Sequence, residues 1–354
     1  HDVMMQLDNT LDEVVVTGQG SGIQKRKLST TVDVLTEEEI DALPGNQIDQ
    51  LLQSTAPSAH IRLSSGQPGT ASIIRTRGPI SASSSTTPVI IVDGIRVDNL
   101  NSNPNLGIDT GGADVSALAD IPVESIEKIE YIKGGAATTL YGADAANGVI
   151  QIITKKGQKG RSNSYFETRT SFIKATKDFL KYDRTAEALF EPGLGQEYKL
   201  GFNGGAEKFT YNFSGSLYKD NSFNDINKQL KRGFSFGFGS DFSEKLKYQG
   251  SLSYVNYESN LDYNANTSWS RFSAFEGAGR GNLDTMDDAT WKAEKERSKT
   301  IGNAVDVAFV TNRFTASNKF SYEANKNIDV NFTFGVDYRT NNQQQNLTNV
   351  FKIA

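Results

Sequence analysis

The sequence predicts a small mixed α/β domain followed by antiparallel β-strands of the transmembrane-barrel type. Three observations predict it. Near residue 163 the chain changes from short mixed elements to strict alternation of apolar and polar residues. The apolar positions of those alternating runs are unusually aromatic, as expected where strands meet membrane interfaces. The connections between runs alternate between short and long, the pattern of outer-membrane strands. Composition agrees, with 20 Phe, 13 Tyr and 32 Gly against only 8 Pro in 354 residues.

The first domain reads from its own signals. Thr36 and Glu39 in TEEEIDAL form a capping box, so a short helix starts there and stops at Pro44. Asn46 suits the cap of a second helix, NQIDQLLQST, with Ile48, Leu51 and Leu52 on one face and Pro57 as its limit. ASIIRTRG is a short apolar strand ending at Gly78. In PVIIVDGIRVDN, Asp93 and Gly94 make the pair favoured by a type I′ hairpin turn. IEKIEYIKGG and GVIQIITKKG are two further strands, with Ala136 to Ala146 bridging them by a helical turn and loops.

In the second part, FTYNFSGSLY places Phe209, Tyr211, Phe213 and Leu217 on one face and Thr210, Asn212, Ser214 and Ser216 on the other. GFSFGFGSDF, LKYQGSLSY and DVNFTFGVDY repeat the alternation over segments of roughly ten residues, the length of a membrane-crossing strand. A soluble sandwich would show the same period with its apolar face against a second sheet. The aromatic faces and unequal connections favour the barrel. Short turns fall at NGGAE, GSDFSEK and EANKN, and long connections at Lys219 to Lys228 and Asn260 to Thr300. The alternation rule yields roughly seven or eight strands after Ser162. A closed barrel of about eight strands is filled by its own side chains, whereas one that holds a separate domain has about 22. The expectation is the N-terminal portion of such a barrel, ending here at NVFKIA.

Several functions are excluded or lack a motif. A net charge of −5 is a poor match for nucleic acid. Without cysteine there are no disulfides or thiolate metal sites, and His1 and His60 are the only histidines. There is no P-loop or nucleophile motif. The acidic run Asp284 to Thr290 lacks the EF-hand spacing and reads as a solvated loop. No catalytic role, metal or cofactor is expected.

The order of LTEEEIDALPGNQIDQLLQSTAPSAHI, SSGQPGTASIIRTRG, PVIIVDGIRVDN and DIPVESIEKIEYIKGGAATTLYGADAANGVIQIITKKG resembles the plug of TonB-dependent transporters, in the SusC-like branch of Bacteroidota. The motifs cover roughly Leu11 to Gly157, and the remainder resembles the family only by its barrel pattern. Many SusC-like proteins carry an extra immunoglobulin-like domain before the plug; here only His1 to Thr10 precede LDEVVVTG. The implied division is an N-terminal segment over 1–18, a plug over 19–157 and barrel strands over 158–354. The plug motif residues are Arg75, Arg77, Gly78, Asp93, Gly94, Gly142 and Gly148; of the glycines, Gly134, Gly135, Gly142 and Gly148 permit tight backbone against a barrel wall. Arg75 and Arg77 share one strand face and either pair with wall carboxylates or stay solvated. PISASSSTTP reads as a flexible plug loop.

LDEVVVTG is a strongly β-forming run without an obvious partner strand, followed by a glycine-rich tether. It resembles the TonB box, a segment that adds a strand to the periplasmic TonB domain. Asp12, Glu13, Val14, Val15, Val16 and Thr17 are then the TonB-binding residues, with Gly18 to Gln24 as slack. A disordered terminus or a strand docked in its own plug are the other readings. The resemblance implies active import across the cell outer membrane, with TonB, a SusD-like surface lipoprotein and outer-membrane lipid as partners. The cargo would be an oligosaccharide or peptide, and loop aromatics Trp269, Phe272, Phe275 and Trp291 could face the lid and stack on sugars, or pack locally. The alternative is a plugged-barrel docking or signalling component of a larger envelope complex.

Overall fold

The computed structural model describes residues 14–15, 23–24, 32–43, 47–55, 60–75, 88–99, 115–160, 162–262, 270–277 and 282–347. The valine run does have a partner nearby. Val14–Val15 (β1) pairs antiparallel with Ile23–Gln24 (β2), Val14 opposite Gln24 and Val15 opposite Ile23. The glycine-rich stretch expected to be pure slack therefore ends in a strand.

Strand β3 (Val32–Thr36) leads into helix α1 (Glu37–Ala42) through the expected box. Thr36 Oγ1 accepts from the Glu39 amide at 3.4 Å, and Glu39 Oε2 accepts from the Thr36 amide at 2.9 Å. Helix α2 (Ile48–Thr55) buries Ile48, Leu51 and Leu52 on one face, as a 3.6-residue period requires. Pro44, Asn46 and Pro57 lie outside the described residues. Strands β4 (His60–Leu63) and β5 (Ser72–Arg75) make a ribbon of their own.

Strands β6 (Val89–Val92), β7 (Ile95–Val97), β8 (Ile126–Ile132) and β9 (Val149–Thr154) join β3 in a five-stranded sheet, ordered β3-β8-β9-β6-β7. Only β6 and β9 pair in parallel within it. Ile90, Val92, Ile129, Tyr131, Ile150 and Ile152 pack with residues of α1 and α2. Val32, Val89, Ile91, Ile132 and Val149 form a second cluster with Ala137 of α3 (Gly134–Tyr141) and Ala145 of the following 3₁₀ turn. Both faces are covered, which is why VIIV and VIQIIT are continuous rather than alternating. The segment from Ala136 to Ala146 is thus more helical than a turn and loops.

Seven strands then pair in sequence order as an antiparallel meander: β10 (Asn163–Ile173), β11 (Gly193–Ala206), β12 (Phe209–Asn221), β13 (Lys228–Asp241), β14 (Leu246–Leu261), β15 (Val305–Asn325) and β16 (Ile328–Leu347). The outer face is the apolar one. Phe209 is 38% exposed, whereas Asn212 and Ser214 on the opposite face are 4% and 1% exposed. Phe234, Phe236, Phe332, Phe334 and Tyr338 are likewise exposed, and Ser235, Thr315 and Ser317 buried. A sandwich would hide the aromatic face and solvate the serines, so this inverted polarity decides between the two architectures.

Near the short turns, aromatic rings run continuously across five strands. Phe209 meets Phe238 at 4.8 Å, Phe238 meets Tyr248 at 5.8 Å, Tyr248 meets Phe320 at 5.0 Å, and Phe320 meets Phe334 at 6.4 Å. Such rings form an interfacial girdle. Toward the other end the same outer face turns polar, with Arg232 on Glu258 at 2.6 Å and Asn256 on Asn312 at 3.1 Å. Residues 174–192, 222–227 and 262–304 connect strands at this polar end, and 207–208, 242–245 and 326–327 at the other.

The long connections build a cap of their own. Helices α4 (Asp183–Leu189), α5 (Arg271–Glu276) and α6 (Asp288–Gly302) enclose Tyr182, Leu189, Phe275, Leu283 and Trp291. Phe275 and Trp291 are buried against each other at 5.6 Å. Of the two roles open to them, facing a lid or packing locally, they take the second and hold the cap together. Phe272 is the aromatic that reaches a cleft, and Trp269 lies outside the described residues.

Candidate functional site

The α/β domain meets the inner face of the seven-stranded wall at two polar anchors, at one close backbone approach and at an apolar cluster of Val115 with Val255, Tyr257 and Val307. Arg169 of β10 also donates to the Leu43 and Asp41 carbonyls. The first anchor is the β6–β7 hairpin. Asp93 and Gly94 have φ of 46° and 84°, the positive values a type I′ turn needs. This turn presents the Asp93 carboxylate to Thr154 (amide 3.0 Å, Oγ1 2.6 Å), Lys156 Nζ (2.8 Å) and Ser251 Oγ of β14 (2.5 Å). Ser317 Oγ of β15 donates to the Asp93 carbonyl at 2.8 Å.

Burial alone would raise the Asp93 carboxyl. The charge of Lys156 and the donors from Lys156, Ser251 and Thr154 outweigh it, holding the group below its ordinary 3.8. A carboxyl depressed by folding contributes stability above its unfolded value, and that contribution is lost as pH falls through the folded value. Asp93→Asn keeps the positive-φ tolerance of the turn but removes the charge. It is expected to cost about 1–3 kcal/mol at neutral pH and to flatten the loss of stability below about pH 4. Urea unfolding of the full-length protein at neutral and acid pH checks this; an unchanged acid slope rules Asp93 out as its source.

The second anchor is a buried charge cluster. Arg313 of β15 and Arg339 of β16 stand directly opposite each other in register, a repulsive pairing by itself. Asp120 of the α/β domain reconciles them. Its Oδ1 accepts from Arg313 at 3.1 Å, and its Oδ2 accepts from Arg339 at 2.6 Å. Arg313 also donates to the Ala117 and Asp98 carbonyls (2.9 Å each) and to both oxygens of Asp337 on β16 (2.9 and 3.1 Å). Arg339 reaches Asp98 Oδ2 at 3.1 Å. Around this cluster, Lys231 donates to the Ile121 carbonyl at 2.7 Å and Ser216 to Glu124 at 2.5 Å. Residues 117–124 thus supply acceptors to the wall from Ala117, Asp120, Ile121 and Glu124.

The close backbone approach lies where the domain runs into the wall. A Cβ at Gly157 would meet the Tyr211 carbonyl oxygen at 2.1 Å, and one at Gly237 would meet that of Lys155 at 1.9 Å.

Above the domain, at the end with the long connections, lies a cleft of about 480 Å³. Ser64 to Gln67 form one side, and Phe179, Phe190, Phe223 and Phe272 supply rings from three connections. Phe190 and Phe223 meet edge to face at 5.8 Å. Buried Arg271 ties these connections together, donating to Asp225 at 2.6 Å and to the Ala188 carbonyl at 3.1 Å. Four rings with interspersed amides and hydroxyls suit a ligand that is apolar in part and rich in hydrogen-bonding groups.

The residues expected from sequence fall out unevenly. Asp93 and Gly94 sit at the interface as a turn. Gly134 and Gly148 are needed, but against the domain's own backbone, the Ala146 and Ile132 carbonyl oxygens, rather than against the wall. Gly142 has φ 83° and open space, and Gly135 has open space. Arg75 is described in backbone alone, within β5; Asp12, Glu13, Val16, Thr17, Arg77 and Gly78, with the stretch PISASSS, lie outside the described residues. The ion pairs described between domain and wall run from wall arginines to domain carboxylates. Arg313 was legible in principle. It occupies the inward parity of an alternating strand, where a charge needs a partner in the lumen. Nothing in ALADIPVES marks Asp120 as that partner.

The family model of the TonB-dependent receptor plug domain matches residues 24–149. TonB-dependent receptor P26 of Formosa agariphila is 36% identical over 156 residues, covering 44% of this chain and 14% of that protein. TonB-dependent receptor SusC of Bacteroides thetaiotaomicron is 26% identical over 278 residues, covering 70% of this chain and 26% of that protein. The chain therefore spans only a minor part of the length of the curated relatives it matches. The RagAB peptide importer in its open-open state shares the fold, with a TM-score of 0.69 at 19% identity, over 94% of this chain and 43% of that one. Over residues 24–149 the chain carries a TonB-dependent receptor plug domain, and it is similar to SusC-like TonB-dependent receptors of the outer membrane, with that plug seated against the inner face of a β-barrel wall.

Proposed function

We propose that the protein works in TonB-dependent import of an oligosaccharide or peptide, with residues 1–18 as the coupling segment, 19–157 as the plug and 158–354 as wall strands. The observation that carries this reading is the seating of the plug. A small domain is held to a lipid-facing wall mainly by polar contacts, beside one apolar cluster in which Val115 packs with Val255, Tyr257 and Val307. The polar contacts exchange for water more readily than a wholly apolar interface would. A seat of that kind blocks a lumen yet can be vacated. The relatives' names supply the transport class: one is a peptide importer and one a SusC receptor.

In this reading cargo enters the cleft above Ser64 to Gln67 beneath a SusD-like lipoprotein, and TonB engages Asp12 to Thr17 from below. Val14 and Val15 are already paired with β2. Engagement by TonB then exchanges one strand partner for another, at little cost in backbone hydrogen bonds.

Deleting Leu11 to Thr17 from the full-length protein is expected to lower uptake at least about tenfold while leaving its level in the outer membrane unchanged. Undiminished uptake sinks the coupling segment. An assembly defect with normal uptake moves the docking alternative ahead.

A further inference from the structure

We propose that the polar hollow beneath Gly66–Pro68 is a subsite for a nitrogen cation of the cargo, an ammonium or guanidinium that donates to Asp220. This rests on the importer reading of the adjoining cleft. The hollow has a volume of about 290 Å³ and lies between the plug apex and the inner face of β10 to β13. Gly66, Gln67 and Ile173 line both it and the larger cleft, so the two adjoin.

Asp220 is the reason to look here. It is 5% exposed. Its Oδ2 accepts from Tyr218 Oη at 3.1 Å and from Gln229 Nε2 at 3.0 Å. Gln229 is oriented for this, because its Oε1 accepts from Tyr257 at 3.3 Å. Asp220 Oδ1 is buried without a hydrogen-bond partner. Both donors to Asp220 are neutral, so its charge is uncompensated as well as half-satisfied, a costly state for a buried carboxylate.

The other charged groups around the hollow are already committed. Glu197 faces Lys199 at 3.3 Å and Arg169 at 3.9 Å. Arg169, the basic side chain of the lining, also holds Glu167 at 3.1 Å. Gly195, the cross-strand neighbour of Asp220 on β11, makes room for Ser171 and for the Tyr218 hydroxyl that donates to Asp220. A Cβ there would meet Ser171 Oγ at 2.5 Å and Tyr218 Oη at 3.3 Å.

A sugar hydroxyl could donate to Oδ1 but would leave the charge unmet, and an anionic group would face both Asp220 and Glu197. An N–H cation answers both needs, through the stronger, charge-assisted hydrogen bond. A lysine or arginine side chain and an amino sugar both carry that group.

The test uses the purified full-length protein and two matched probe pairs in calorimetric titrations at mildly acidic pH. One pair is acetyl-trilysine amide against acetyl-triglutamine amide. The other is the glucosamine trimer against the N-acetylglucosamine trimer. At least one cationic probe is expected to bind about tenfold tighter than its neutral match, and the pair that shows it names the source. Asp220→Asn, which keeps the shape, should bring the preference within about twofold.

No preference in either pair overturns the subsite without any variant, as does a preference that survives Asp220→Asn. The importer reading fails separately. Uptake that is indifferent to loss of Leu11–Thr17 overturns import and leaves a measured cation preference standing, whereas coupled uptake without that preference overturns the subsite alone.

Discussion

Asp120→Ala is expected to weaken the seating of the plug by about 3–5 kcal/mol, the cost of removing one partner from a buried ionic cluster. The side chains of Asp120, Arg313 and Arg339 are 1%, 3% and 7% exposed, so neither guanidinium can turn to bulk water when the carboxylate goes. Arg313 would retain Asp337 and two carbonyls, and Arg339 would retain Asp98. Their direct opposition across β15 and β16 would then be unrelieved. Two readouts apply to the full-length protein: denaturant stability of the plug, and permeability of cells to an antibiotic too large for ordinary porins. Both should change together. A double-mutant cycle with Arg339→Gln should show coupling above about 1 kcal/mol. Additive effects with no rise in permeability would mean that the cluster does not hold the plug.

Gly157→Ala is expected to cost roughly 2–5 kcal/mol, combining positive-φ strain with overpacking against backbone. Gly157 has φ 84°, and its Cβ would fall within 2.1 to 2.7 Å of the carbonyl oxygen, carbonyl carbon and amide nitrogen of Tyr211. Those atoms belong to a strand paired on both sides, so they cannot retreat as a side chain would. Gly142→Ala is the control. It carries similar strain at φ 83° but meets nothing within 4 Å, so its cost is limited to about 1–2 kcal/mol. The yield and melting temperature of folded protein from outer membranes distinguish the two. Equal behaviour would show that the plug does not come so close to the wall.

Much of the local structure was legible because its causes are local. The Thr36–Glu39 box, the buried face of α2, the Asp93–Gly94 turn and the alternation of β12, β13, β14 and β16 each depend on residues a few positions apart. The aromatic identity of the alternating face also marks it as lipid-facing from sequence alone. The partner of the valine run was missed because two residues on each side are too short to leave a periodic signal. The cap was missed for a different reason. Phe275 and Trp291 look like free loop aromatics until Tyr182, Leu189 and Leu283, distant in sequence, are brought around them.

The sequence by itself determined the class of the molecule: an α/β domain, then strands with one apolar aromatic face and one polar face, in the motif order of a plug and its wall. Period, turn chemistry and composition act over short range, so they survive without a fold. Tertiary structure alone decided which charges meet. Asp120 lies 193 positions from Arg313, and Asp98 lies 241 from Arg339; no local preference couples them. It alone also decided which glycines are crowded and which acid is left without a cation. These properties depend on what is absent from the space around a residue, and a sequence records only what is present.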